Sequence, residues 1–332
     1  MITSRVAVAV AVAVAVATTG AVLAGVGLVG GPDTVAEPDI VAEPDTVAEK
    51  VPAVVDGPVA GGPGDPLAVT VGPLGDQRRV VKHLPSPAVA DGTRRIGSSD
   101  VAVGRDGRLY FTVGLGAVPV VRARAGQFGA TARRFRLGGG GPAVVADPGG
   151  FVPNSVLSIR DGELIADARG NSLVRVDPRG RLRTVATFGP RTVIGPDGRP
   201  ALMQPVPTPV VVGPDGALYV GERTGFPFVK GAARVWRVVP GHRPTVYATG
   251  FTTVVDLAWG PGHRLYVLEL ARNGLLSDDR TGALLRAEPH HRPTVIVGSG
   301  LTSPGGLTIR GHHAYVSTRG SGDAVVLRYV LR

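Results

Sequence analysis

The segment Val210-Val-Val-Gly-Pro-Asp-Gly-Ala-Leu-Tyr-Val220 reads as strand, tight turn, strand. Apolar runs at 210–212 and 218–220 flank Gly213-Pro-Asp-Gly216. Pro214 pre-sets a turn φ, and Gly216 can take the positive φ that a tight hairpin needs. The phrase recurs as Val101-Ala-Val-Gly-Arg-Asp-Gly-Arg-Leu-Tyr-Phe111 and Val156-Leu-Ser-Ile-Arg-Asp-Gly-Glu-Leu-Ile-Ala166. It returns as Leu257-Ala-Trp-Gly-Pro-Gly-His-Arg-Leu-Tyr-Val267 and Leu307-Thr-Ile-Arg-Gly-His-His-Ala-Tyr-Val316. A period of roughly 50 residues signals a radial or stacked array of β units.

The array can be read unit by unit. Residues 153–188 hold four strand-like runs separated by turns, the content of one propeller blade. Units 208–251 and 257–297 repeat that layout, each with an insertion between its second and third strands. Residues 98–114 open another unit, with an outer strand expected near 132–137. The last unit has three strands and then ends. At the other end, 67–71 and 79–84 form a strand pair without the recurrent phrase. The reading is an all-β, six-bladed β-propeller of four-stranded antiparallel blades, the first blade incomplete or degenerate. Five-bladed and open arrangements are the alternatives. Propellers commonly close by borrowing an N-terminal strand to cover an exposed sheet edge. Val51-Pro-Ala-Val-Val55 is the candidate donor, or else an eroded inner strand of the first blade.

Composition agrees with this architecture. The 332 residues include 49 Gly and 29 Pro, and aromatics make up 5%. Many turns and cores built of Val, Leu, Ile and Ala are therefore expected. There is no Cys, so disulfides and thiolate chemistry are excluded. A single Arg5 precedes an uncharged run to Gly30, as in a signal peptide or signal anchor. Residues 1–30 are accordingly assigned to export and 31–63 to a Pro/acid/Gly-rich spacer carrying three near-identical hexapeptides, beginning Pro32-Asp-Thr-Val-Ala-Glu37. Residues 64–332 form the propeller. The expected location is extracellular or on the outer face of the cytoplasmic membrane, with membrane contact only through the N-terminal segment.

The formal charge is +10. The basic residues are scattered at turns without the aromatic interleaving of a single-strand nucleic-acid site, so no nucleic acid is expected. The partner expected is an unknown small molecule or an anionic cell-envelope polymer, bound by a monomer. Gly25-Val-Gly-Leu-Val-Gly30 matches a dinucleotide-binding pattern, but no βαβ unit surrounds it.

The segments ADARGNSLVRVDPRGRL, VGPDGALYVGERTGFPFVKGAARVWRVVPGHRPTVYATGF and DLAWGPGHRLYVLELARNGLLSDDRTGALLR resemble the ScyD/ScyE family of bacterial exported proteins. The resemblance covers roughly 67–330. It implies a six-bladed propeller of the shape seen in NHL and SMP-30-type proteins, with no settled activity. This chain departs from the family pattern at its first blade, in the Arg-rich segment 117–148, and at Gly150-Phe-Val, where an acidic residue is expected.

Two candidate sites follow. Aligning the phrases puts Asp100, Ser155, Pro209, Asp256 and Gly306 at one position, at the channel mouth where inner strands begin. Asp100, Asn154 and Asp256 could supply oxygen ligands to a hard cation such as Ca²⁺; SMP-30-like lactonases use a channel-mouth metal of this kind. The competing reading is that these residues cap strand ends on local backbone amides. Glu222 and Glu269 align after their second strands, with Asp167 nearby; such carboxylates could act as acid and base if they faced each other, and the competing reading is polar strand exits that hold the following loops. The second candidate is the insertion carrying Thr224, Phe226 and Phe228, read either as a binding patch or as a lid on a neighbouring blade. The leading functional reading is a non-catalytic binding scaffold acting through loops on one face. The alternative is a metal-dependent hydrolase or lactonase.

Overall fold

The computed structural model describes residues 152–319 and 324–331, together with the strands Ala11–Ala13, Ala53–Val55, Leu67–Val71, Arg78–Leu84, Ser98–Val103, Leu109–Val113, Thr131–Phe135 and Ala143–Ala146. Most of the apolar leader, the hexapeptide repeats and the four glycines at 138–141 lie outside the described residues.

The recurrent phrase forms the first hairpin of each unit. In the 213–216 turn, the Gly213 N–H donates to the Ala217 carbonyl at 2.7 Å and the Gly216 N–H to the Gly213 carbonyl at 2.9 Å. Gly216 sits at φ +75°, as the turn chemistry predicts. Gly213 has a different role. A Cβ there would lie 2.3 Å from the Tyr219 ring, and a Cβ on the equivalent Gly260 would lie 2.6 Å from the Tyr266 ring. The first Gly of the phrase therefore makes room for its Tyr, six residues on, to fold back over the hairpin. The Tyr219 hydroxyl then donates to Asp215 Oδ2 at 3.1 Å, and Asp215 also pairs with Arg237.

Four sheets have four antiparallel strands in chain order. They are Ser98–Val103 to Ala143–Ala146, Pro153–Ile159 to Leu182–Thr187, Pro207–Val212 to Thr245–Phe251, and Val254–Gly260 to Thr294–Val297. A three-stranded sheet follows, Gly306–Arg310, His313–Arg319 and Ala324–Val330, and Leu67–Val71 pairs with Arg78–Leu84 at the other end. The innermost strand of each sheet from Ser98–Val103 to Gly306–Arg310 lies beside the innermost strand of the next. That is the radial arrangement of a propeller.

Packing between sheets follows the two-residue period of a strand. Leu265 and Val267 point back into a cluster with Tyr219, Val235, Phe251 and Leu257. Their neighbours Tyr266 and Leu268 point forward into a cluster with Leu284, Leu307, Val316 and Tyr329. Leu218 and Val220 likewise point back, onto Leu164, Leu173 and Phe188. Both faces of Gly162–Asp167, Leu218–Glu222 and Arg264–Glu269 are buried, so their central residues read as short apolar runs.

The seam differs from the expectation. Ala53–Val55 does not complete the last sheet, whose outermost strand is Ala324–Val330. It pairs in parallel with Ala11–Ala13 and contacts Leu67–Val71, while Ala11–Ala13 lies against Gly306–Arg310 and His313–Arg319. The two short Ala/Val strands thus bridge the last sheet and the first on the inner side, closer to the alternative reading of 51–55 as an inner strand.

Gly213→Ala should destabilise the propeller by about 1–3 kcal/mol, the cost of forcing a methyl against a packed ring. Urea denaturation of the two proteins checks this, and a loss well below that range would show that the Tyr219 ring can move aside freely.

Candidate functional site

Inner strands begin and second strands end on the same face of the ring, so three sets of residues meet there: the starts of the inner strands, the exits of the second strands, and the insertions. Asp100 and Asp256 belong to the first set. Asp256 Oδ1 accepts the Leu257 N–H at 2.8 Å, and its Oδ2 accepts the Leu307 N–H of the next sheet at 2.6 Å. Asp100 Oδ2 accepts the Val156 N–H of its own next sheet at 2.9 Å. Val156 and Leu307 occupy the same position in the repeat. Each Asp is therefore a clamp from one inner strand to the backbone of the following one. Asn154 is half-buried at the start of its strand. Burial raises the Asp256 carboxyl to about 7, against the lowering influence of its two backbone donors.

The donor set fits these clamps better than a Ca²⁺ site. Both oxygens of Asp256 face backbone N–H groups, and near neutral pH the carboxyl is partly protonated, whereas a Ca²⁺ ligand must be ionised. Among the described residues, no group of three or more His, Asp and Glu side chains is placed to hold a metal ion.

The second-strand exits carry three buried carboxylates; Asp167 holds the loop that follows it, as the sequence suggests, whereas Glu222 and Glu269 take their partners from other segments. Asp167 accepts the N–H groups of Val152, Arg169 and Gly170 at 2.9, 3.2 and 3.0 Å. Glu269 accepts the Thr252 N–H at 2.6 Å. Glu222 receives the Arg234 N–H, the Trp236 Nε1–H at 2.7 Å and a two-pronged contact from Arg191 at 2.9 and 2.6 Å. Every partner is a loop or a neighbouring strand, and none of these carboxylates faces another as an acid–base pair would. Burial raises Glu222, and it raises Glu269 to about 7 against the pull of the Thr252 N–H, Arg272 and Lys230.

The insertions form the outermost set. Thr224 is buried at φ +64° and its N–H donates to the Pro205 carbonyl at 2.9 Å. It shapes the loop rather than presenting a ligand group. The Phe226–Pro227 peptide is cis, and Phe226 and Phe228 meet edge-on with ring centres 6.1 Å apart. Phe226 is 70% exposed, so it is not a lid, whereas Phe228 is half-buried.

Beside this loop stands a hairpin absent from the sequence reading, Arg191–Ile194 with Pro200–Met203. Its turn, Gly195-Pro-Asp-Gly198, copies the Gly213–Gly216 turn, down to a 2.8 Å bond from the Gly195 N–H to the Arg199 carbonyl and a positive φ at Gly198. That repeated tetrapeptide was the available signal. Arg191 ties the hairpin down by reaching Glu222 and the Ala232 carbonyl. Asn171 bonds to Gln204 and to the Val206 N–H. On the other side, the 270–282 insertion is held by Lys230 Nζ donating to Asn273 Oδ1 at 2.7 Å. Ile194, Leu202 and Leu276 are each 61% exposed. With Phe226 they are the four most exposed large apolar side chains among the described residues, and all lie on insertions of this one face.

Two outcomes test the reading of the carboxylates. Glu269 has a folded-state value above its ordinary 4.5, so the stability it allows is full below about pH 4.5, falls as pH rises toward 7 and is flat above. Glu269→Gln should therefore be more stable than wild type at pH 8, by on the order of 1–3 kcal/mol, with the gap closing toward pH 5 in thermal melts. Added calcium or chelator should leave the wild-type melting temperature unchanged, since the inter-sheet clamps need no cation.

No family model and no curated protein matches this chain. Solved structures do. A chain of the nidogen/laminin complex superposes with a TM-score of 0.51 at 14% identity, over 80% of this chain and 86% of that one. The gluconolactonase XC5397 from Xanthomonas campestris gives 0.51 at 13% identity, over 81% and 79%. At such identities the likeness is one of fold, and its structural neighbours are six-bladed β-propellers.

Proposed function

We infer that this chain is an exported binding propeller of the ScyD/ScyE type, a non-catalytic scaffold that engages its partner through the face bearing the insertions. The observation that carries the reading is the concentration of Ile194, Leu202, Phe226 and Leu276 on three insertions of one face. Exposed apolar side chains grouped on one face are what an interaction site presents. The insertions are tied down by polar contacts, Arg191 to the buried Glu222 and Lys230 to Asn273, so the patch is held in place before a partner arrives and loses little freedom on binding. The carboxylates beneath it serve the scaffold through backbone hydrogen bonds, which leaves the chemistry of a hydrolase without an acid–base pair or a metal cage among the described residues.

The partner is a small molecule or an anionic envelope polymer with an apolar face. The +10 formal charge favours an anion at long range, and the patch supplies contact area. The resemblance in the 224–228 and 270–276 segments supports a location outside the cytoplasm.

The test is sedimentation of the purified protein with isolated cell-envelope fragments. Phe226→Ser with Leu276→Ser removes two exposed side chains and should leave the fold intact, as a melt would verify. The double variant should bind at least about tenfold more weakly. Equal binding by variant and wild type would overturn the assignment of this face.

A further inference from the structure

The opposite face of the ring carries a second feature, unrelated to the insertions. A cleft of roughly 790 Å³ opens between the sheet ending at Leu182–Thr187 and the sheet beginning at Pro207–Val212. Its floor is apolar, with Ile159, Leu164, Val185 and Leu218. Its rim is basic: Arg175 and Arg183 on one side, His242 and Arg243 on the turn across from them. Among the described residues no carboxylate lines it.

The strand register sharpens the charge argument. Arg175 lies directly opposite Arg183, and Leu164 opposite Arg175, so all three side chains share the face that looks into the cleft. Like charges directly opposite one another across strands are unfavourable. Arg175 is partly compensated: its Nη2 donates to the Asp161 carbonyl at 2.8 Å and lies 3.9 Å from Asp161 Oδ2. Arg183 and Arg243 are exposed and have no carboxylate partner among the described residues. Three arginines thus line an apolar floor, in a space of the size that holds small-molecule ligands.

We propose that this cleft binds a small organic anion: an apolar body seated on Leu164, Val185 and Leu218, and an acidic group held by Arg183 and Arg243. Guanidinium forks suit the planar oxygens of carboxylate, sulfonate or phosphate. The site is independent of the insertion face, so either assignment can fail without the other.

Calorimetric titration of the full chain tests it, with naphthalene-2-sulfonate as the anionic probe and naphthalene-2-sulfonamide as its uncharged match. Saturable binding of the sulfonate is expected, at least about tenfold tighter than the sulfonamide and weakened by salt. Arg183→Ala with Arg243→Ala should lower sulfonate affinity by at least about tenfold. Both side chains are exposed, so its melting temperature should match wild type, and Phe226→Ser should leave probe affinity unchanged. Equal affinity for the two probes, undiminished binding by the double arginine variant, or no saturable binding would each overturn the proposal.

Discussion

Burial on both sides of the second strands Gly162–Asp167, Leu218–Glu222 and Arg264–Glu269 is the constraint on which the molecule rests. A blade of four short strands has too little surface to form a core of its own, and here each blade is finished only by its neighbours. Tyr219 belongs to one sheet by chain but to the next by packing, with Leu257, Leu265 and Val267. Tyr266 repeats this one sheet further on, with Leu307 and Val316. Such a sandwich needs side chains of fixed size at alternating positions and a hairpin slim enough to let the Tyr fold back. Gly213 and Gly260 meet the second requirement. Without Cys the closed array must rely on this burial and on strand pairing.

The polar groups at the ring's mouth solve a problem that burial creates. Strand ends and loop starts brought into the interior carry backbone N–H groups that must find acceptors. Asp167, Glu222, Glu269, Asp100 and Asp256 supply them. The cost appears as the raised values of Asp256 and Glu269, carboxyls whose charge is poorly solvated. A mouth rich in acidic residues can therefore be an element of construction. The same chemistry holds the insertions still: Arg191 anchors its hairpin through the buried Glu222, and the exposed apolar residues ride on that anchored base.

How much could be read beforehand depended on whether a feature was local. The Gly213–Gly216 turn, the four strands of 153–188 and the insertion at 223–232 are local patterns, and they stand where the periodicity puts them. The alignment of Asp100 with Asp256 was also legible, but not their task, because register along a strand does not say whether a carboxylate turns toward a channel or toward a backbone N–H of the next sheet. The 191–203 hairpin was missed although its turn repeats a known tetrapeptide, since it falls between units where the period requires nothing. The basic cleft could not be foreseen at all. Arg175 and Arg183 are close in sequence, but Arg243 arrives from another sheet, and only packing brings them to one rim.

The clamps from Asp100 to Val156 and from Asp256 to Leu307 both run the same way around the ring, from an earlier sheet to a later one. Both junctions are head-to-tail: the earlier sheet supplies the carboxylate acceptor and the later one the backbone N–H donor. An array built in this manner can gain or lose a repeat in the course of gene duplication without redesign of its junctions. It cannot so easily redesign its seam, where the last unit must meet the first against the direction of the chain. There the repeat gives way to the two short strands Ala11–Ala13 and Ala53–Val55, an improvised join in an otherwise modular ring.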